Sequence, residues 1–286
     1  MLSLNIAGRL IDFDEPRVMG IINVTPDSFY SGSRTPEEAS VLLRRAASMV
    51  EQGAAILDIG ACSTRPGFTP VPVDEEMRRL DFALTALAPL RDSTPGLIIS
   101  IDTFRAEVAR HCAVNYGVHI INDISAGQYD PAMYTTVADL HLPYVLTHNP
   151  IDLRTVAPGD APAESSFLPS VARFFADHLS RLHAFGVADV ILDPGFGFGK
   201  TLQENYLLLH HLADFVRLFP DNPFLIGLSR KSMIYKLLGS SPEEALNGTT
   251  ALHAIALQAG GHILRVHDVR PAVETIRIHQ FLKLNS

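Results

Sequence analysis

The chain has 286 residues, 47% of them hydrophobic, and a formal net charge of −8. That length and apolar content suit one large core, and the acidic balance argues against a nucleic-acid partner, which selects a basic face. Cys62 and Cys112 form neither a C-x-x-C pair nor a framework, which argues against structural zinc and a disulfide scaffold and for a reducing compartment.

The opening segment MLSLNIAGRLIDFDEPR has no basic start followed by an apolar run, and no later run nears the ~20 residues of a membrane span, so a cytoplasmic protein with no membrane partner is expected. Residues 2–13 read as a short strand pair covering the bottom of a barrel. Eight short apolar runs follow: VMGIINV (18–24), AAILDIG (54–60), LIISI (97–101), VHIIN (118–122), YVLT (144–147), DVILD (189–193), FLIGL (224–228) and HILRV (262–266). Continuous hydrophobicity within a run marks a strand covered on both faces, as in a parallel sheet, and helical periodicity fills most intervals. Thr35-Pro36-Glu37-Glu38 supplies a capping Thr, a Pro at the first helical position and a Glu three residues after the cap, with Gly53 as the stop. Ser241-Pro242-Glu243-Glu244 repeats the device ahead of a helix running toward Gly260. Residues 148–170, rich in Pro, Ala and Ser, break the rhythm and read as a long loop after the fifth strand. The expectation is an α/β chain folded as one (β/α)8 TIM barrel domain over residues 1–286.

In such a barrel, chemistry collects at the carboxyl ends of the strands. The runs end on Asn23, on Asp58 and then Ser63-Thr64-Arg65, on Asp102, on Asn122-Asp123, on Thr147-His148, on Asp193, on Ser229-Arg230-Lys231, and on Arg265 and His267. A single strand-end Asn or Asp often does no more than cap a turn. Eight strands converging on one polar mouth say more. Asp58, flanked by apolar residues, reads as a buried hydrogen-bonding group, and Cys62 as a packing residue or a thiol. Arg65, Arg265 and His267 suit an anion such as a diphosphate. Asp102, Asn122, Asp193 and Lys231 mix donors and acceptors as a flat polar heterocycle with an amidine-like edge requires.

DPGFGFGKT (193–201) imitates a phosphate loop without being one: Pro194 stands where a P-loop needs its first glycine, and Lys200 where a dinucleotide loop needs its third. Its glycines allow backbone to approach a planar ligand, with Phe196 and Phe198 as apolar walls. Lys231 breaks a nucleophile elbow at Ser229, and no H-E-x-x-H occurs, so serine and zinc hydrolases are poor candidates.

Seven motifs, MGIINVTPDSF (19–29), STRPG (63–67), SIDTFRAEVA (100–109), IINDIS (120–125), DPGFGFGKT, GLSRKS (227–232) and LRVHDV (264–269), together resemble the dihydropteroate synthases. The resemblance implies condensation of 6-hydroxymethyl-7,8-dihydropterin diphosphate with 4-aminobenzoate, Mg2+ as cofactor, and a homodimer that sulfonamides target. Carried over by motif, it implies that Asp102, Asn122, Asp193 and Lys231 hold the pterin, and that Thr64, Arg65, Arg265 and His267 hold diphosphate. It implies Asn23 as a metal ligand, and Phe29, Pro66, Phe198, Lys231 and Ser232 around the aminobenzoate. Asp102, Lys231, Arg265 and His267 are then the catalytic set. The chain departs from the family pattern at Cys62, where Glu is usual, at Tyr30-Ser31-Gly32-Ser33, at Thr147-His148-Asn149 in place of Met-His-Met, and in the composition of the loop after them. The alternatives are a pterin-binding methyltransferase, which should lack the SRK and RVHDV anion groups, and a non-catalytic pterin-binding paralogue.

Overall fold

Every apolar run becomes one parallel strand. In the computed structural model, which describes residues 2–24, 36–62, 71–152, 157–158 and 166–285, they are β3 (Arg17–Asn23), β4 (Ile56–Gly60), β5 (Ile98–Asp102), β6 (Ile120–Asp123), β7 (Tyr144–Thr147), β10 (Val190–Asp193), β11 (Leu225–Ile226) and β12 (Ile263–Val266). The sheet order is β10-β7-β6-β5-β4-β3-β12-β11. A parallel bridge between Leu192 and Phe224, with Leu192 N–H donating to Pro223 O at 2.9 Å, joins its two edges and closes the barrel. Closure leaves no strand edge unpaired.

Alternation along each strand sorts the residues into layers. Outward side chains such as Ile22, Leu57, Ile99, Ile121, Leu146 and Leu192 pack under the helices. Inward, Met19, Ile56, Ile98, Ile120, Val145, Ile191, Leu225 and Ile263, one from each strand, form an apolar layer at the amino end. Leu4, Ile6 and Phe13 complete it. They belong to or follow the antiparallel pair β1 (Ser3–Ile6) and β2 (Arg9–Asp12), so the expected hairpin plugs the barrel floor.

The helices between strands are α1 (Pro36–Glu51), α2 (Val73–Ala86), α3 (Ala88–Ser93), α4 (Ala106–Tyr116), α5 (Met133–Leu140), α6 (Phe167–Ala184), α7 (Leu202–His210), α8 (Leu212–Leu218), α9 (Ser232–Leu238), α10 (Leu246–Gln258) and α11 (Val269–Leu284). Two boundaries differ from the sequence expectation, and one strand pair is added. The helix after Ser241 starts only at Leu246: Pro242 O and Glu243 O accept from Arg230 Nη1, at 2.9 and 2.6 Å, which holds this stretch in turns. The segment read as loop to residue 170 turns helical at Phe167, whose side chain is buried in the outer core with those of Val171 and Phe175. Within that segment β8 (Ile151–Asp152) and β9 (Ala157–Pro158) form a two-residue antiparallel pair.

Candidate active site

Two residues past the apolar layer, the inward positions become polar on six of the eight strands: Asp58, Ser100, Asn122, Thr147, Asp193 and Arg265. All but Arg265 are at most 5% exposed. Two residues further, at the mouth, stand Asn23, Gly60, Asp102, Ser229 and His267.

Arg265 organises the polar layer. Its Nε donates to Asp58 Oδ2 at 2.6 Å and its Nη2 to Asp102 Oδ2 at 2.6 Å, so one guanidinium serves two carboxylates. Asn122 Nδ2 donates to the same Asp58 oxygen at 2.9 Å. Both carboxylates push the Arg265 pKa above its ordinary value despite burial. Asp102 responds oppositely: burial, helped by the charge of Asp58, pushes its carboxyl up to about 7 against the pull of Arg265. Asn23 and Asp102 share the rim beside Gly60, where a Cβ would lie in ordinary contact with both, 3.6 Å from Asn23 Oδ1 and from Asp102 Oδ2.

The second cluster surrounds Asp193. Its Oδ1 accepts from Gly195 N at 2.7 Å, and burial raises its pKa although Lys231 opposes this. Lys231, just before α9, donates from Nζ to Phe196 O and lies 4.5 Å from the centroid of the Phe198 ring. Burial lowers its pKa to about 8. Arg230 precedes it with a left-handed φ of 54° and turns away, paired with Asp268 at 2.7 and 3.1 Å. That anchor aims Lys231 inward.

The glycine-rich loop is held by a lysine. Lys200 Nζ donates to His148 O (2.9 Å), Gly195 O (2.8 Å) and Phe198 O (3.3 Å), filling all three of its donor positions with carbonyls. At Gly195, with φ of 68°, a Cβ would lie 2.0 Å from His148 O, so only glycine fits. Phe196 is fully buried in the outer core and lends only its carbonyl, which corrects its expected place as a wall of the mouth. Phe198 stays half-buried against Cys62, Phe104 and Ile124.

His267 is held by Ser229, whose Oγ accepts from His267 N at 3.1 Å and lies 3.0 Å from Nδ1. Ser229 has one proton to place, and Nδ1 is the acceptor in range, which leaves the ring proton on Nε2. Burial and the nearby Arg265 lower the His267 pKa to about 4, so the ring is neutral at pH 7.

The structure thus brings together Asn23, Asp102, Asn122, Asp193, Arg265 and Lys231, with Phe198, His267 and half-buried Ser232 at the rim. Phe29, Thr64, Arg65 and Pro66 lie outside the described residues. Asp58 takes the buried hydrogen-bonding role that its apolar flanks suggest, but its partner Arg265, 207 residues away, could not be read from local pattern. The roles of Lys200 and Ser229 were hidden likewise. Cys62 is buried and its thiol is pushed up to about 11 by burial, a packing residue rather than a nucleophile.

The family of pterin-binding enzymes matches residues 19–267. The dihydropteroate synthase of Escherichia coli strain K12 is 40% identical over 279 residues, covering 97% of this chain and 95% of that one. This chain belongs to the dihydropteroate synthases, transferases of folate biosynthesis. Solved structures agree across the whole length. The Xanthomonas albilineans dihydropteroate synthase with 4-aminobenzoic acid superposes with a TM-score of 0.85 at 40% identity, covering 98% of each chain. A dihydropteroate synthase from Coxiella burnetii in complex with pteroic acid gives 0.85 at 38%, covering 100% of each. Membership decides against the methyltransferase alternative, which the barrel alone leaves open. Among the described residues, no helix is long and apolar enough to cross a membrane.

Proposed function

We propose that this chain joins 6-hydroxymethyl-7,8-dihydropterin diphosphate to 4-aminobenzoate with the pterin ring lying on the polar layer of the barrel. One observation carries this placement. Of the seven buried side-chain atoms without a hydrogen-bond partner among the described residues, four belong to that layer: Asp58 Oδ1, Ser100 Oγ, Asn122 Oδ1 and Thr147 Oγ1. Each such atom costs about 1–3 kcal/mol when left unmet, so their concentration in one layer fits a polar ligand that meets them.

In this reading Asp193 accepts from the amidine-like edge of the ring, Asn122 Oδ1 accepts beside it, and Lys231 donates to a ring acceptor. As the C–O bond to diphosphate breaks, the amine-rich ring delocalises positive charge at the methylene, and the Asp102 carboxylate stabilises it. The nitrogen lone pair of 4-aminobenzoate forms the new C–N bond, and the nitrogen then loses its proton to solvent. No protein nucleophile takes part. Arg265 Nη1, which has no acceptor among the described residues, meets the departing diphosphate, and His267 offers Nε2–H, with Thr64 and Arg65 assigned to the same group. Phe29, Pro66, Phe198, Lys231 and Ser232 border the aminobenzoate.

Mg2+ suits the donor set. The described residues hold no cluster of three His, Cys, Asp or Glu, but Mg2+ needs only one or two protein oxygens when it keeps waters and binds substrate phosphates. Asn23 Oδ1, near Asp102 at the rim beside Gly60, is such an oxygen. When bound, the ion neutralises charge developing on the leaving diphosphate. We also read the protein as a cytoplasmic homodimer. Ile278, Phe281 and Leu282 on α11 and Ile255 on α10 are 51–70% exposed, and the first three share one helical face, which suits a second copy.

The test is synthesis of 7,8-dihydropteroate by the purified chain from both substrates with Mg2+. Arg265→Ala should lower turnover by about 10²–10³-fold, the scale of losing one preorganised donor, while bare pterin binding changes little. Collapse of both in a variant still folded by circular dichroism would make Arg265 a ring-binding residue instead.

A further inference from the structure

Thr147 ends β7 with its side chain on the inner face of the barrel. Val145, two residues earlier, belongs to the inward apolar layer, and Leu146 between them packs outward. Alternation therefore directs Thr147 into the polar layer. Its neighbours there are reactive in the binding sense: Asp193 is its direct partner across the β7–β10 ladder, and Asn122 pairs with Val145 on the other side. The residue is 0% exposed, and its Oγ1 has no hydrogen-bond partner among the described residues. A β-branched Thr has few rotamers, so this hydroxyl cannot swing out to solvent from a closed barrel wall.

We propose that Thr147 is a specificity-determining residue whose hydroxyl hydrogen-bonds the pterin ring between Asp193 and Asn122. The inference rests on the proposed placement of the pterin on this layer. The chemistry is selective because a hydroxyl both donates and accepts: it can meet a ring carbonyl, a ring nitrogen or an exocyclic amine, whereas an apolar side chain at this position would offer the ring only contact. The hydroxyl has no protein partner among the described residues and gains one from the ring in the complex. This gives it opposite effects on folding and on binding. A group that serves the fold alone cannot show that pattern.

Thr147→Val keeps the shape and removes the hydroxyl. Urea and thermal denaturation of this variant should show equal or greater stability than the parent, with a midpoint raised by about 1–5 °C, because a buried unmet hydroxyl has been removed. Calorimetric titration with 6-hydroxymethylpterin should show affinity lowered by about threefold to tenfold, the worth of one net hydrogen bond. Thr147→Ser, which retains the hydroxyl, should bind within about twofold of the parent on the same reasoning. Asp193→Ala is titrated alongside. If Asp193→Ala loses affinity and Thr147→Val does not, this inference is wrong and the site stands. If neither loses affinity, the pterin lies elsewhere. A Thr147→Val protein that is destabilised yet binds normally would make the hydroxyl a structural group and overturn the proposal.

Discussion

Removing Arg265 should cost more stability than removing either of its partners, and the cost should depend on pH. Among the described residues, Arg265 is the single cation bonded to both Asp58 and Asp102, with its side chain 20% exposed and theirs 0% and 12%. Arg265→Leu leaves two carboxylates facing each other at the barrel mouth with no guanidinium between them. Breaking a buried pair in this way costs about 3–5 kcal/mol. Asp58→Asn still leaves Arg265 one full partner, Asp102, and an amide oxygen can keep one of the two bonds made to Asp58 Oδ2; about 1–2 kcal/mol is expected, the worth of one charge-assisted bond. For the Leu variant a fall in Tm of roughly 6–15 °C follows. Arg265 holds the raised Asp102 pKa down, so without it that carboxyl takes up a proton more readily and the penalty should shrink between pH 8 and pH 5. Urea unfolding at both pH values measures this directly. A larger penalty for Asp58→Asn than for Arg265→Leu, or a penalty for the latter that ignores pH, would refute the shared-guanidinium account.

Asp102 in the intact protein carries its own linkage. Its folded pKa, raised to about 7, lies above the unfolded value near 3.9, so the folded state binds the extra proton and the group's contribution to stability is lost as pH rises from about 4 to about 7. Asp102→Asn should therefore gain stability relative to the parent as pH rises through that window, and unfolding curves at pH 5 and 8 that show a constant difference would contradict it. Gly195→Ala should fail to fold or unfold at least ~10 °C lower, because its Cβ would lie 2.0 Å from His148 O at φ of 68°; circular dichroism melts unchanged from the parent would mean the loop takes another path.

The barrel was legible because a strand covered on both faces reads as an unbroken apolar run. LIISI at 97–101 became Ile98–Asp102, and YVLT became Tyr144–Thr147. The hairpin at 2–13 was legible from its position and length. Polar strand ends named the mouth, because inward polar residues interrupt those runs with period two. What local pattern could not contain is who pairs with whom. Asp58 and Arg265 meet only because β4 and β12 flank β3 in the closed sheet. Lys200 looked like part of a phosphate loop, and only the fold brings His148 O within its reach. The late start of α10 at Leu246 was likewise set by Arg230 drawing off the Pro242 and Glu243 carbonyls.

The placement of the pterin on Asp193 and Lys231 is tested most directly by isothermal titration of 6-hydroxymethylpterin into the parent chain, Asp193→Ala and Lys231→Ala. Each variant leaves ligand polar groups unpaired in a buried site, at about 1–3 kcal/mol or more, which is roughly a fivefold to hundredfold loss of affinity. That loss in both variants, with their folds intact by circular dichroism, is the predicted result; affinity equal to the parent in both would contradict the account.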